Sequence, residues 1–158
     1  MNLDEIDAAI LGELQVNGRM TSAELGDRVG LSPTSASRRV RRLEHDGVID
    51  RYVMLLDPTA IGRTVSVFVE ISLDSQAEDL LDEFEAAIAD TPEVMGCHLM
   101  AGEADYLLHV ICVDVADYER IHRQHLARLP HVARLRSSFA IRQVFARTDF
   151  EVGASPPT

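Results

Sequence analysis

Four of the five residues from Arg38 to Arg42 are arginine, in a chain of 158 residues that holds no lysine and carries a net charge of −11. A cationic run on a helix is either a solvated face making local ion pairs, as Arg41 with Glu44 would, or a surface for the phosphates and base edges of a nucleic acid. Spacing favours the second. On a helical wheel Ala36, Val40 and Leu43 share one side, while Thr34, Ser35, Arg38, Arg41 and Arg42 turn outward. Such a helix fits the major groove of double-stranded DNA, where short hydroxyls reach base edges and a guanidinium binds guanine in a bidentate way. Thr34, Ser35 and Arg38 lie early enough on the helix to read bases; Arg39, Arg41, Arg42 and the later Arg51 are placed for phosphate. Ser22 and Ser32, at helix N-termini, add hydroxyl and amide donors for phosphate.

Other reactive types are sparse. His122 and His125 lie one helical turn apart and His98 adjoins Cys97, but no third ligand stands at recognisable spacing, so packing is the simpler reading and no metal is expected. No Gly-Lys phosphate loop, dinucleotide glycine fingerprint or Gly-x-Ser-x-Gly elbow occurs, so catalysis has no obvious carrier and no cofactor is expected. Cys97 and Cys112 sit in strand-like runs and read as free, buried thiols.

The elements that must hold the arginine helix are legible on both sides of it. Asp4 and Asp7 can cap a first helix striped by Ile6, Ile10, Leu11 and Leu14, which Asn17-Gly18 ends. Thr21 and Glu24 have capping-box spacing before a short second helix that stops at Gly30. Ser32 and Pro33 then launch the third, which runs to about Asp46. Helix, glycine-containing turn, helix is the expected order. Val48 to Leu56 predicts a wing strand, and Asp57-Pro58 to Gly62 a linker. Beyond it, strands are expected over Thr64 to Leu73, Val94 to Ala101, Tyr106 to Val113 and Val132 to Ala146. Between them fall one helix capped by Ser75 with Glu78 and another that Asp117 caps or begins. The order is βαββαβ, a ferredoxin-like layer with helices on one face. The other face needs cover, and pairing with a second copy is the simplest form of it.

The fold class expected is therefore α+β: a winged helix-turn-helix over residues 1–56, a linker over 57–62, a ferredoxin-like domain over 63–148 and a C-terminal tail over 149–158, its last stretch from Gly153 to Thr158 mobile. Hydrophobic residues make up 46% and charged residues 26%, which suits a folded globular chain rather than a disordered one. Whole-chain acidity argues against nucleic acid, but it is unevenly spread: residues 1–60 hold 7 arginines against 10 acids, residues 61–158 hold 8 against 16. The start lacks a signal-peptide pattern and the longest nearly apolar run, Leu107 to Val113, is too short for a bilayer, so a cytoplasmic location without membrane contact is expected.

Taken as a set, these residues resemble the Lrp/AsnC, or feast/famine, family of transcriptional regulators. The likeness rests on Leu3-Asp4 with Asp7 and Ile10-Leu11, Asn17-Gly18-Arg19-Met20, Glu24-Leu25, Gly30-Leu31-Ser32, Arg39-Val40-Arg41-Arg42-Leu43-Glu44 and Gly47-Val48-Ile49. A looser match, Gly102 with Asp105-Tyr106-Leu107-Leu108 and then Leu129-Pro130 and Val132, resembles the family's RAM domain. The resemblance implies homodimers that assemble into tetramers or octamers and bind an amino acid or related metabolite near the turn between the second and third RAM strands. Met100, Ala101, Gly102, Asp105 and Tyr106 would line that site, Asp105 meeting a ligand ammonium, with Ser137 and Ser138 supplying hydroxyls for a carboxylate. Family members often place Thr where this chain has Ala101. The resemblance also reaches sirohaem-type decarboxylases, so a tetrapyrrole decarboxylase is the alternative reading, one that would draw on the histidines. A third is a metabolite-binding oligomer whose DNA reader has decayed.

Overall fold

The computed structural model describes residues 3–153. The chain divides into two compact units, residues 3–55 together with residues 145–153, and residues 56–144.

The first unit is built on three helices: α1 (Glu5–Val16), α2 (Ser22–Val29) and α3 (Pro33–His45). Each starts at a side-chain cap. Asp4 accepts from the Asp7 amide and Thr21 from the Glu24 amide, each within a reciprocal capping box, and Ser32 accepts from the Ser35 amide ahead of Pro33. Gly30 closes α2 with φ of 71°, a left-handed value a Cβ would resist. Gly26 lets α2 meet the turn, since a Cβ there would lie 2.5 Å from the carbonyl oxygen of Leu31. Ile10, Leu11, Leu25, Ala36 and Leu43 form the buried centre, with Ile6, Leu14, Val29 and Val40 packed around it.

One expectation fails in this unit. No strand forms over residues 48–56, because among the described residues nothing pairs with that backbone, and a lone extended segment leaves its amides to water. Tyr52 is the tether: its hydroxyl donates to Glu44 Oε1 at 3.0 Å, and burial first, with that carboxylate second, pushes the phenol up to about 12. Residues 149–152, the start of the expected tail, are tied to α1. The Phe150 amide donates to Gln15 Oε1 at 2.7 Å, Gln15 Nε2 returns a bond to the Phe150 carbonyl at 3.1 Å, and Val152 packs on the helical core. The rest of the expected tail, residues 154–158, lies outside the described residues.

The second unit runs β1 (Val65–Leu73), α4 (Glu78–Ala89), β2 (Val94–Leu99), β3 (Tyr106–Cys112), α5 (Val115–Gln124) and β4 (Val132–Phe139), with a short 3-10 turn at Leu126–Arg128. The sheet is antiparallel in the order β2-β3-β1-β4, the ferredoxin-like order expected from βαββαβ. Val67, Val69, Ile71, Tyr106, Leu108 and Val110 face the helices, where Phe84, Ile88, Tyr118 and Ile121 cover them. On the opposite face Phe68 stacks on His109 at 4.8 Å, and Ser66 Oγ lies 2.7 Å from His109 Nε2. Three local expectations shift. The α4 N-cap is Ala77, without a side-chain cap, because Ser75 Oγ accepts from the Ala77 amide in a preceding turn. Asp114 caps α5, while Asp117 accepts from the Val113 amide. Strand β4 ends at Phe139 rather than near Ala146: its register with β1 ends at Val67↔Phe139, with one last bond from the Ala140 amide to the Ser66 carbonyl.

Candidate nucleic-acid interface and effector region

The arginine run divides by helix face. Arg39 Nη1 donates to Asp4 Oδ2 and to Asp7 Oδ1, both at 2.7 Å, and Arg42 Nη2 pairs with Asp7 Oδ2. Asp7 is 1% exposed, so its carboxylate is viable in the core only because these two guanidiniums hold it. The hydrogen bonds from Asp4 and then Asp7 raise the pKa of Arg39 further, and the amide of Asp7, then Arg39, lowers that of Asp4. The assignment of Arg39 and Arg42 to phosphate is corrected accordingly: these two side chains clamp α3 to the start of α1. The sequence signal for this was the pair Asp4 and Asp7, read there only as a cap.

Arg38 and Arg41 point the other way. With Pro33, Thr34 and Ser37 they line an open groove of about 470 Å³ on the outer face of α3. Among the described residues neither forms an ion pair, so both guanidiniums are available to an anion. Ser37, one turn after Thr34, belongs to this surface and was missed, since the wheel places it beside the buried Ala36 side. Ser32 and Ser35 bond to each other at 3.0 Å at the mouth of the helix, and Ser22 is exposed at the start of α2. Arg51 is exposed, 3.6 Å from Asp50. The groove can thus offer hydroxyls, helix-terminal amides and two free guanidiniums to a polyanion.

The expected effector residues do not converge. Asp105 takes the Leu73 amide on Oδ2 at 2.7 Å and the Gln76 side-chain amide on Oδ1, stitching the β2–β3 hairpin to the end of β1. Each oxygen thus already has one donor, and an ammonium would meet only the remaining lone pairs. Tyr106 is buried against Phe84, its hydroxyl donating to Glu85 Oε1 at 2.7 Å, and burial first, then Glu85, pushes its pKa well up. Ser137 Oγ bonds to the Tyr118 hydroxyl on the helix side, whereas Ser138 pairs with Phe68 on the other face. The two serines lie across β1 from β3, roughly 10 Å away at the usual strand spacing, and so share no pocket with the turn. Met100, Ala101 and Gly102 remain exposed at that turn, with open space where a Gly102 side chain would be.

The six histidines are dispersed: His98 and His109 lie on the helix-free sheet face, His131 is 2.7 Å from Glu83, and His45, His122 and His125 sit on or at the ends of helices. Among the described residues no group of three His, Cys, Asp or Glu side chains could hold a metal.

Comparison with known proteins fits this division. A family model for the AsnC-type helix-turn-helix domain matches residues 3–44, and one for the Lrp/AsnC ligand binding domain matches residues 66–150. The chain is 43% identical over 143 residues to the leucine-responsive regulatory protein of Salmonella typhimurium, covering 90% of this chain and 87% of that one. It is 42% identical over 146 residues to the Bkd operon transcriptional regulator of Pseudomonas aeruginosa, covering 92% and 95%. Among solved structures, a transcriptional regulator from Neisseria meningitidis in complex with L-methionine aligns with a TM-score of 0.89 at 34% identity, over 94% of this chain and 96% of that one.

Proposed function

The chain belongs to the Lrp/AsnC family of transcriptional regulators, and from this we propose that it binds promoter DNA through α3 as a homodimer and answers to an amino acid or related metabolite. One observation carries the DNA reading: α3 turns Thr34, Ser37, Arg38 and Arg41 outward with their guanidiniums free, while Arg39 and Arg42 fix the helix to the rest of the head. Thr34, Ser35 and Arg38 reach base edges; Ser22, Ser32, Arg41 and Arg51 reach phosphate. A two-fold dimer would present two such helices to successive major-groove faces about 34 Å apart.

The helix-free sheet face supports the dimer. Phe68 at its centre is 40% exposed, and Glu70 on β1 lies 3.7 Å from Arg136 on β4, so the face carries both charges of a self-complementary pairing. Further assembly into tetramers or octamers belongs to the same reading. The amino-acid response rests on family membership and on the methionine complex of the Neisseria regulator. The exposed backbone around Met100, Ala101 and Gly102 is the surface this chain offers for it, completed by a second subunit because its own Asp105 and Tyr106 are engaged elsewhere. The curated relatives are named as regulators, which accords with a protein that acts by binding. Selection of genomic DNA bound by the full chain, with and without a panel of amino acids, tests the whole proposal. It expects an enriched near-palindromic site whose occupancy shifts with one effector class. No enrichment at modest ionic strength under any condition would refute it.

A further inference from the structure

Strand β2 is an edge of the sheet, and the helix layer stops short of it. Cys97 and Leu99 pair with Leu108 and Tyr106 and so point to the helix side, yet Cys97 is exposed and Leu99 is 61% exposed. Above them, between β2 and the second half of α4, lies a cavity of about 350 Å³ whose walls include Ile88, Val94, Met95, Cys97 and Leu99. That volume is in the range of small-molecule sites. Its polar corner is Glu85, which accepts the Tyr106 hydroxyl at 2.7 Å on Oε1 and, among the described residues, forms no ion pair.

Charge defines what can enter. No arginine or histidine lines the cavity, and the chain has no lysine. Glu78, Asp79, Asp82 and Glu83 share α4 with Glu85 and Asp90 follows it, adding to a negative potential. The Cys97 thiol registers that field: burial first, then Glu85, pushes its pKa up. A carboxylate on a ligand would find repulsion and no partner, so an amino-acid zwitterion is disfavoured where a plain amine is favoured.

We propose that the α4–β2 cavity binds a small organic cation, a primary ammonium on a short branched hydrocarbon, with the ammonium on Glu85 and the hydrocarbon on Ile88, Val94 and Leu99. This site adjoins the proposed effector surface at the β2–β3 turn, with Tyr106 in its wall, and differs from it in ligand charge. Glu85 sits at an open mouth, so its ion pair is screened and contributes selectivity more than strength.

Ligand-observed NMR titration of the full chain tests this with two matched probes, 3-methylbutylamine and 4-methylpentanoate. The amine should bind about threefold to tenfold more tightly than the acid, a screened ion pair favouring the one and repulsion from Glu85 opposing the other. Glu85→Gln keeps an oxygen for the Tyr106 hydroxyl and should remove that preference. Ala89→Leu fills the cavity with Glu85 intact and should abolish amine binding, as should alkylation of Cys97 with N-ethylmaleimide. Equal binding of the two probes, or amine binding that survives both Ala89→Leu and Cys97 alkylation, would overturn the proposal. So would a Cys97 that resists alkylation in the assembled native chain but reacts once unfolded, because a second copy then covers the groove.

Discussion

Arg38 and Arg39 are neighbours of the same type, and the structure gives them opposite work. Successive helix positions are separated by about 100°, so one guanidinium faces solvent while the next crosses to Asp4 and Asp7 on α1. Arg38→Ala should weaken specific DNA binding by about 1 to 3 kcal/mol if it reads a guanine, with the melting temperature unchanged; fluorescence anisotropy and calorimetry separate the two effects. Arg41→Ala should instead lower affinity for all sequences alike and reduce the slope of log K against log salt by about 1 per head. Asp7→Ala reverses the pattern. It removes the shared partner of two arginines, and because Arg42 is half-exposed and can return to water the cost is about 2 to 3 kcal/mol of head stability rather than the full figure for a buried pair. A thermal melt that leaves the head unmoved would refute the clamp. The wheel of α3 was legible in the sequence, since Ala36, Val40 and Leu43 are inward as expected. Which arginines are spent was not legible, because it depends on α1, more than thirty residues earlier, arriving beside them.

Local signals served the first unit's helix starts and the sheet interior well: Asp4, Thr21 and Ser32 cap as their spacing required, and the alternation of β1 and β3 placed the right residues inward. At α4 and α5 the cap fell elsewhere than Ser75 and Asp117. The other failures are at elements whose ends are decided by a partner. Residues 48–56 have strand composition but no strand beside them, and the pairing of β4 with β1 ends at Val67↔Phe139, well short of Ala146. Gly26 carries a signal that composition hides. It reads as an ordinary helical glycine, but in the fold α2 packs so close to the following turn that a Cβ would sit 2.5 Å from the Leu31 oxygen. Backbone cannot yield as a side-chain tip does. Gly26→Ala should therefore destabilise the head by about 1 to 3 kcal/mol, the usual cost of overpacking, against the gain in helix propensity that the same change brings at an open site. Gly12→Ala on α1, where a Cβ meets nothing within 4 Å, is the control and should not destabilise. Denaturant midpoints for the two variants decide it.

For the molecule as a whole, acid and assembly probe different parts. Asp4 and Asp117 titrate below their ordinary 3.8 and Glu93 below 4.5. An amide from Asp7 and then Arg39 hold Asp4, an amide from Val113 and then Arg120 hold Asp117, and at Glu93 burial acts in the opposite direction but Arg120, a backbone amide and His125 together outweigh it. Carboxylates depressed in the folded state stabilise it fully above their unfolded values and lose that contribution as pH falls through the folded ones. Stability should hold from neutrality to about pH 5 and then fall as these groups protonate; Arg120→Gln should lower stability at neutral pH and shrink that acid-dependent loss, since Glu93 is no longer held down and Asp117 keeps only its amide, as denaturant midpoints measured against pH would show.

The proposed assembly turns on the sheet face that has no helices. Its apolar centre, Phe68 stacked on His109, is flanked by Glu70 and Arg136, and a two-fold axis near Phe68 would set each Glu70 within reach of an arginine from the other copy. Phe68→Glu puts a carboxylate at the middle of that patch. In a monomer the change touches only an exposed position and should cost within about 0.5 kcal/mol, whereas in a dimer two like charges would be buried together. Sedimentation should accordingly show the variant shifted toward monomer, with its far-UV spectrum intact. DNA binding should weaken in parallel, since a single head forfeits the second half-site. A variant that sediments like the parent would place the subunit interface on another face and leave Phe68 without a partner.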